Sequence, residues 1–178
     1  MSKKISALNI HDLNLIGKNG SKPSGVSIDS RSIDVGDIFI AIKGKNHDGH
    51  AFVQAAKDKG ASLAIVETLQ PIDIKQIVVE DTTFALFDLA IDYLKQHSVI
   101  TIAITGSAGK TSTKFMLSHL LESQGHVLVA PLSYNNRIGV ALTLLQLKHH
   151  HDFLVLEFGT SLPGEIDYLT RSIQPHRR

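Results

Sequence analysis

The sequence contains no cysteine, which excludes disulfides and thiolate metal sites. It also lacks an excess of either charge: 18 Lys+Arg against 17 Asp+Glu leave a net +1, without the basic footprint of a nucleic-acid binder. No apolar run approaches the roughly 20 residues that a helix needs to cross a bilayer. The start, Met1-Ser2-Lys3-Lys4-Ile5-Ser6, is basic, but Asn9, His11, Asp12 and Asn14 interrupt the stretch behind it, so no secretory signal is expected. There is no internal repeat, no low-complexity tract and no Pro/Gly/Ser-rich linker. What remains is 178 residues, 43% hydrophobic and 20% charged, the make-up of a soluble globular chain of one ordinary domain or two small ones. A cytoplasmic monomer is expected, with no nucleic-acid partner and no membrane insertion.

The most informative stretch that is present is Thr105-Gly106-Ser107-Ala108-Gly109-Lys110-Thr111-Ser112, directly after the apolar run Val99-Ile100-Thr101-Ile102-Ala103-Ile104. A β-branched strand, a glycine turn, a Lys-Thr pair and then a helical pattern form the order that a phosphate-cradling loop requires. Glycines let backbone N–H groups turn inward onto phosphate oxygens, and the helix N-terminus adds partial positive charge. Lys110 can then reach the β- and γ-phosphates while the Thr111 hydroxyl binds Mg²⁺. The long form of the pattern would place a glycine at Ile104; the chain carries the shorter Gly106-x-x-Gly109-Lys110-Thr111. The competing reading is an ordinary glycine-rich turn with a solvated lysine. The strand before and the helix after favour the nucleotide.

Short strands are predicted at Val26–Ile28, Asp37–Ile42, Leu63–Val66 and Ile77–Val79, with a turn at Val35-Gly36-Asp37. Asp48-Gly49-His50 opens a helical stretch carrying Phe52, Val53, Ala55 and Ala56, which Gly60 closes. Phe84, Phe87, Ile91 and Leu94 mark the next helix by their helical spacing. The pattern restarts at Val99. Strand and phosphate loop lead to a helix with Leu117, Leu120 and Leu121 on one side and Gly125 at its end. A strand His126–Ala130, a helix Ile138–Leu147, a strand Phe153–Leu156 and a helix Gly164–Ser172 follow. Continuous apolar strands separated by helices predict an α/β fold whose parallel sheet is covered on both faces. The domain boundary is placed near Gln96–Ser98, giving residues 1–97 and 98–178. A nucleotide-binding sheet of three strands leaves its edges with little cover. Pro175-His176-Arg177-Arg178 reads as a cut rather than a finish, so a fragment is expected.

A second chemical element is Glu157, directly behind the apolar run Phe153–Leu156. In open parallel sheets ligands sit at the carboxyl ends of the strands, so Glu157 can face Thr111 and hold Mg²⁺. Taken alone it is a solvated strand-end glutamate; the phosphate loop is what gives it a metal role. Asn135-Asn136 precede a helix and can cap it or hydrogen-bond a ligand, and capping needs only one of them. His149-His150-His151 is read as a solvated turn, with soft metal binding as the alternative.

With these residues in view, the chain resembles the Mur ligases, ATP-dependent amide-bond formers of peptidoglycan precursor synthesis. The resemblance runs from about Gly25 to Pro175. It is carried by Asp29-Ser30-Arg31, Gly36-Asp37-Ile38-Phe39, Asp48-Gly49-His50-x-Phe52 and Thr105 to Thr111. Asn135-Asn136-x-Ile138-Gly139 and Glu157-Phe158-Gly159-Thr160-Ser161-x-Pro163-Gly164-Glu165-Ile166 complete it. These last two blocks are most similar to the member that adds D-alanyl-D-alanine to UDP-N-acetylmuramoyl-tripeptide. The member that adds the third peptide residue resembles the N-terminal half nearly as well. The family usually has Gly-Asn where this chain has Leu132-Ser133, and proline at the position of Ala141.

The resemblance implies a small N-terminal α/β domain for the UDP-sugar, then part of a central P-loop ATPase domain, with a C-terminal domain absent. It implies that Ser30, Arg31, Asp48, Gly49 and His50 line the uridine-diphosphate site. Gly106, Ser107, Ala108, Gly109, Lys110, Thr111 and Ser112 would cradle ATP, and Asn135 and Asn136 would line the cleft. Thr111 and Glu157 would serve Mg²⁺, with Lys110 and Glu157 as the catalytic pair. The implied chemistry moves the γ-phosphoryl group of ATP onto the peptide carboxylate, and the D-alanyl-D-alanine amine then displaces phosphate. A carbamylated lysine and a histidine that the family also uses would lie past Arg178, so full ligase activity is not expected of this chain alone. A binding-only module that keeps the UDP-sugar site without catalysis is the alternative from a different class.

Overall fold

A computed structural model describes residues 23–44 and 47–176. The basic start with its interrupted apolar stretch, and Arg177 and Arg178, lie outside the described residues. The chain forms two compact units, residues 1–88 and 89–178, and the division falls inside the helix Thr82–Leu94.

The first unit is built on a parallel sheet in sequential order, β1 (Val26–Ser27), β2 (Ile38–Ile40), β3 (Leu63–Val66) and β4 (Lys75–Val78). Ile38 is in register with Val26 on one side and Leu63 on the other, and Val66 with Val78. All four residues of β3 are fully buried, as an apolar run without alternation requires of an interior strand. One face of the sheet presents Phe39, Ala41, Ala64 and Val66 to Val53 and Ala56 of α1 (Val53–Asp58). Each such large apolar side chain contributes about 1.5–3 kcal/mol by leaving water. α1 follows a 3₁₀ turn, Gly49–Phe52, and ends at Gly60, whose φ of +103° suits only glycine. Of the apolar residues expected on this helical stretch, Phe52 and Ala55 are exposed. In α2 (Thr82–Leu94) Phe87, Ile91 and Leu94 are buried, and Phe84 sits at the exposed margin.

The second unit alternates β5 (Ile100–Ile104), α3 (Lys110–Leu121), β6 (Val127–Val129), α4 (Arg137–Leu144), β7 (Phe153–Glu157) and α5 (Glu165–Ile173). Its strands are parallel in the order β5-β7-β6, so the last strand inserts between the first two. Leu154, Val155 and Leu156 are fully buried in that central position. α3 departs from expectation. Leu120 is 67% exposed and Leu117 and Leu121 are half-buried, while Lys114 and Ser118 are the buried residues. Thr111, Lys114 and Ser118 form one stripe at helical spacing, and the anchoring of that stripe at the sheet's carboxyl end sets which side faces inward.

One glycine of α4 is fixed by space. A Cβ on Gly139 would lie 2.5 Å from the Tyr134 Cα, and backbone cannot yield there. Gly139→Ala is therefore expected to cost about 1–3 kcal/mol as an overpacked site. The check is a lower urea midpoint with an unchanged slope; an unchanged midpoint would show that the Tyr134 turn gives way.

Candidate functional site

β5 ends at Ile104, in register with Glu157 on β7. The loop then turns through Gly106 (φ +155°) and Gly109 (φ +74°) into α3. Gly109 stands at the N-cap of α3 and makes no side-chain cap hydrogen bond. A Cβ there would meet nothing within 4 Å, so the demand for glycine is one of conformation and not of room. The result is a 12-residue helix whose N-terminus opens onto an exposed loop, an arrangement that attracts anions. Lys110 folds back over this loop and donates from Nζ to the Gly106 carbonyl at 2.7 Å. Thr105 Oγ1 ties the loop to the neighbouring strand end by donating to the Phe158 carbonyl at 3.0 Å.

Glu157 is the hub. Its strand is central, so its carboxylate lies between the helix that follows β5 and the loop that follows β6. The side chain is 4% exposed. Thr111 Oγ1 donates to its Oε2 at 2.9 Å, and Asn135 Nδ2 donates to its Oε1 at 3.1 Å. The Lys114 ammonium forms an ion pair with Oε2 at 3.2 Å and donates to the Pro131 carbonyl at 3.3 Å. Burial alone would push the Glu157 carboxyl up. The hydrogen bonds from Asn135, Thr111 and Lys114, with the ammonium charge, outweigh that and hold it below its ordinary value. The Thr111 hydroxyl and the Glu157 carboxylate bring two hard oxygen donors together, the ligand chemistry that Mg²⁺ prefers.

The asparagine pair divides its work. Asn136 caps α4, its Oδ1 accepting from the Gly139 N–H at 2.9 Å, and Asn135 reaches Glu157. Gly159 closes against this arrangement, its N–H donating to the Asn135 carbonyl at 2.8 Å. Among the described residues no group of three or more His, Cys, Asp or Glu is placed to hold a metal ion. Of His149-His150-His151 the first two are exposed and His151 is half-buried, its Nδ1 accepting from the Lys148 N–H at 3.0 Å.

In the first unit, the sheet's carboxyl edge carries two turns of the same construction. Asp29 caps the 3₁₀ turn Ser30–Ser32 and accepts from the Arg31 N–H, and Asp48 caps the turn Gly49–Phe52 and accepts from the His50 N–H. Arg31 grips Asp29 with two nitrogens, Nε to Oδ1 at 2.9 Å and Nη2 to Oδ2 at 2.7 Å, while remaining 87% exposed. The Arg31 side-chain hydrogen bonds, with the one from its backbone, pull the Asp29 carboxyl down to about 2. Ser30 is buried in the same turn. His50 is fully engaged within the fold. Its Nε2 accepts from the Glu67 N–H at 2.8 Å, which leaves the proton on Nδ1 for Asp48 Oδ1 at 2.6 Å. Gly49 is required by a close approach, since a Cβ there would sit 2.7 Å from the Ile42 N and O atoms.

Sequence reasoning passed over Lys114. The available signal was its spacing, three residues after Thr111 and four after Lys110, which puts all three on one helical face. A lysine in a helix ordinarily reads as solvated; this one is fully buried.

Comparison with known proteins decides the family. The pattern described as Mur ligase family, catalytic domain, matches residues 22–105, and the Mur ligase middle domain matches residues 104–177. The chain belongs to the Mur ligase family. The UDP-N-acetylmuramoyl-tripeptide--D-alanyl-D-alanine ligase of Buchnera aphidicola (subsp. Baizongia pistaciae) is 41% identical over 153 residues, covering 85% of this chain and 33% of that protein. A crystal structure of MurF from Acinetobacter baumannii superposes with a TM-score of 0.81 at 38% identity, over 89% of this chain and 36% of the other. MurF from Thermotoga maritima, solved in complex with ADP, gives a TM-score of 0.77 at 34% identity, over 85% of this chain and 35% of the other. The chain spans about a third of the length of the curated relatives it matches. Ser133 adopts φ +67°, a left-handed conformation that a serine enters at a small local cost.

Proposed function

We propose that this chain is the UDP-sugar-binding and partial ATP-binding portion of a ligase that adds D-alanyl-D-alanine to UDP-N-acetylmuramoyl-tripeptide. On this reading residues 1–97 hold the sugar nucleotide, and residues 98–178 belong to the ATPase domain. One observation carries it: the Thr111 hydroxyl, beside the Lys110 loop, meets the buried Glu157 carboxylate that Asn135 also holds. That cluster needs three separate segments to converge and has no use in a plain strand-to-helix turn.

Joining a carboxylate to an amine in water is uphill, and phosphorylation by ATP activates the acid. The loop amides and Lys110 would hold the phosphates and offset charge on the transferred group, which is chiefly positioning and electrostatics. Thr111 and Glu157 would hold Mg²⁺, which supplies positive charge to offset that of the phosphates. Asn135 keeps the carboxylate turned toward Thr111. In the sugar-nucleotide domain, the exposed Arg31 fork offers two donors matched to diphosphate oxygens once it leaves Asp29. Ser30 and the Asp48-Gly49-His50 turn would complete that lining, with His50 fixing the turn to β3.

Calorimetry of the chain with UDP-N-acetylmuramoyl-tripeptide and, separately, with Mg-ATP tests the reading. Binding of both is expected. Sugar-nucleotide binding without ATP binding would favour a binding-only module, and binding of neither would remove the reading.

A further inference from the structure

The nucleotide reading leaves one buried charge unexplained. Lys114 lies beneath the loop with its side chain fully shielded, touching Glu157 Oε2 at 3.2 Å and the Pro131 carbonyl at 3.3 Å, with its ammonium 4.9 Å from the Phe115 ring centre. A buried ammonium is costly unless paired, and the carboxylate it pairs with is the one proposed to meet the metal. Glu157 and Lys114 together carry no net charge. A free divalent cation approaching Glu157 therefore finds a neutral pair, and it meets the repulsion of a fixed positive group held in low dielectric. A cation that arrives with phosphate brings the negative charge that offsets Lys114.

We propose that Lys114 is a positioning residue acting through Glu157: its ammonium holds the carboxylate against Thr111 and withholds it from free divalent metal, so that metal enters with the nucleotide. The inference rests on the nucleotide reading of this site, and it concerns the empty state that precedes binding. Thr111 and Lys114 share one carboxylate oxygen, and Asn135 holds the other, so the pair is assembled before any ligand arrives.

The test uses Mn²⁺ as the probe, followed by electron paramagnetic resonance on the 178-residue chain without nucleotide. Lys114→Met is expected to bind Mn²⁺ about 30-fold or more tightly than the parent chain, because the carboxylate loses its resident counter-ion. Adding Glu157→Gln to that variant should abolish the gain, and Lys114→Arg should behave as the parent. Mn²⁺ should also raise the melting temperature of Lys114→Met and leave that of the parent unchanged. A folded Lys114→Met chain that binds Mn²⁺ no better than the parent overturns the inference, as does a parent that binds it equally tightly. Should Lys114→Met fail to fold, restoration of a cooperative melt by millimolar Mn²⁺ supports the proposal, and no restoration contradicts it; a merely structural lysine would not be replaced by a metal ion. Mg-ATP binding measured on the same samples separates the two claims, since a parent chain that never binds nucleotide removes the functional reading whatever Mn²⁺ does.

Discussion

Replacing Lys110 with alanine is expected to weaken Mg-ATP binding roughly 100-fold or more, a loss of about 3 kcal/mol, while the fold stays intact. The reasoning starts from where the side chain is. Lys110 is half-buried at the first position of α3, and among the described residues its ammonium donates only to the carbonyl of Gly106 in the same loop. That bond spans one turn of chain, so its loss costs the fold little, and alanine is the best helix former at such a position. The phosphates, by contrast, would lose their only flexible full charge on this loop. Hydrogen bonds to charged groups are worth more than neutral ones, and an unpaired phosphate oxygen in a partly dry site carries a desolvation cost. Calorimetry gives the affinity and thermal melting gives the fold. Unchanged affinity in a folded Lys110→Ala chain would remove Lys110 from the site.

Glu157→Gln should be the most destabilising conservative substitution in the second unit. It keeps the shape but removes the charge that compensates Lys114, leaving a fully buried ammonium with only neutral oxygens for partners. Breaking a buried ion pair by removing one member costs about 3–5 kcal/mol. The double variant Lys114→Met/Glu157→Gln should recover most of that loss, because the burial penalty disappears with the charge. Urea unfolding of the parent, both single variants and the double variant closes the cycle. If the double variant is as unstable as the sum of the singles, the two residues are not coupled and the hub described for Glu157 is wrong.

The alternation of strand and helix was legible because its signals are local. Apolar runs such as Leu63–Val66, glycine stops such as Gly60 and the turn from Ile104 into Lys110 each declare themselves within a few residues. The strand order β5-β7-β6 was not legible. Parallel pairing joins segments some fifty residues apart, as Ile104 with Glu157, and nothing local encodes which neighbour a strand takes. The inward side of α3 was misread for a related reason. Leucine spacing pointed to Leu117, Leu120 and Leu121, but the tertiary partner of Lys114 lies on β7 and turns the polar stripe inward. Asn135 and Asn136 were half legible: two amides before a helix leave one beyond capping, but only the fold reveals that it goes to Glu157. Gly49 looked like part of a ligand turn, and its tight approach to Ile42 needs coordinates to be seen.

The most direct test of the account is a crystal structure of the chain with Mg²⁺ and a nonhydrolysable ATP analogue. The phosphates should rest against the amides of Gly106 to Ser112, with the Lys110 ammonium moved from the Gly106 carbonyl onto a phosphate oxygen and the metal between Thr111 and Glu157. A nucleotide bound elsewhere, or a Lys110 still donating to Gly106 with the analogue present, would contradict it.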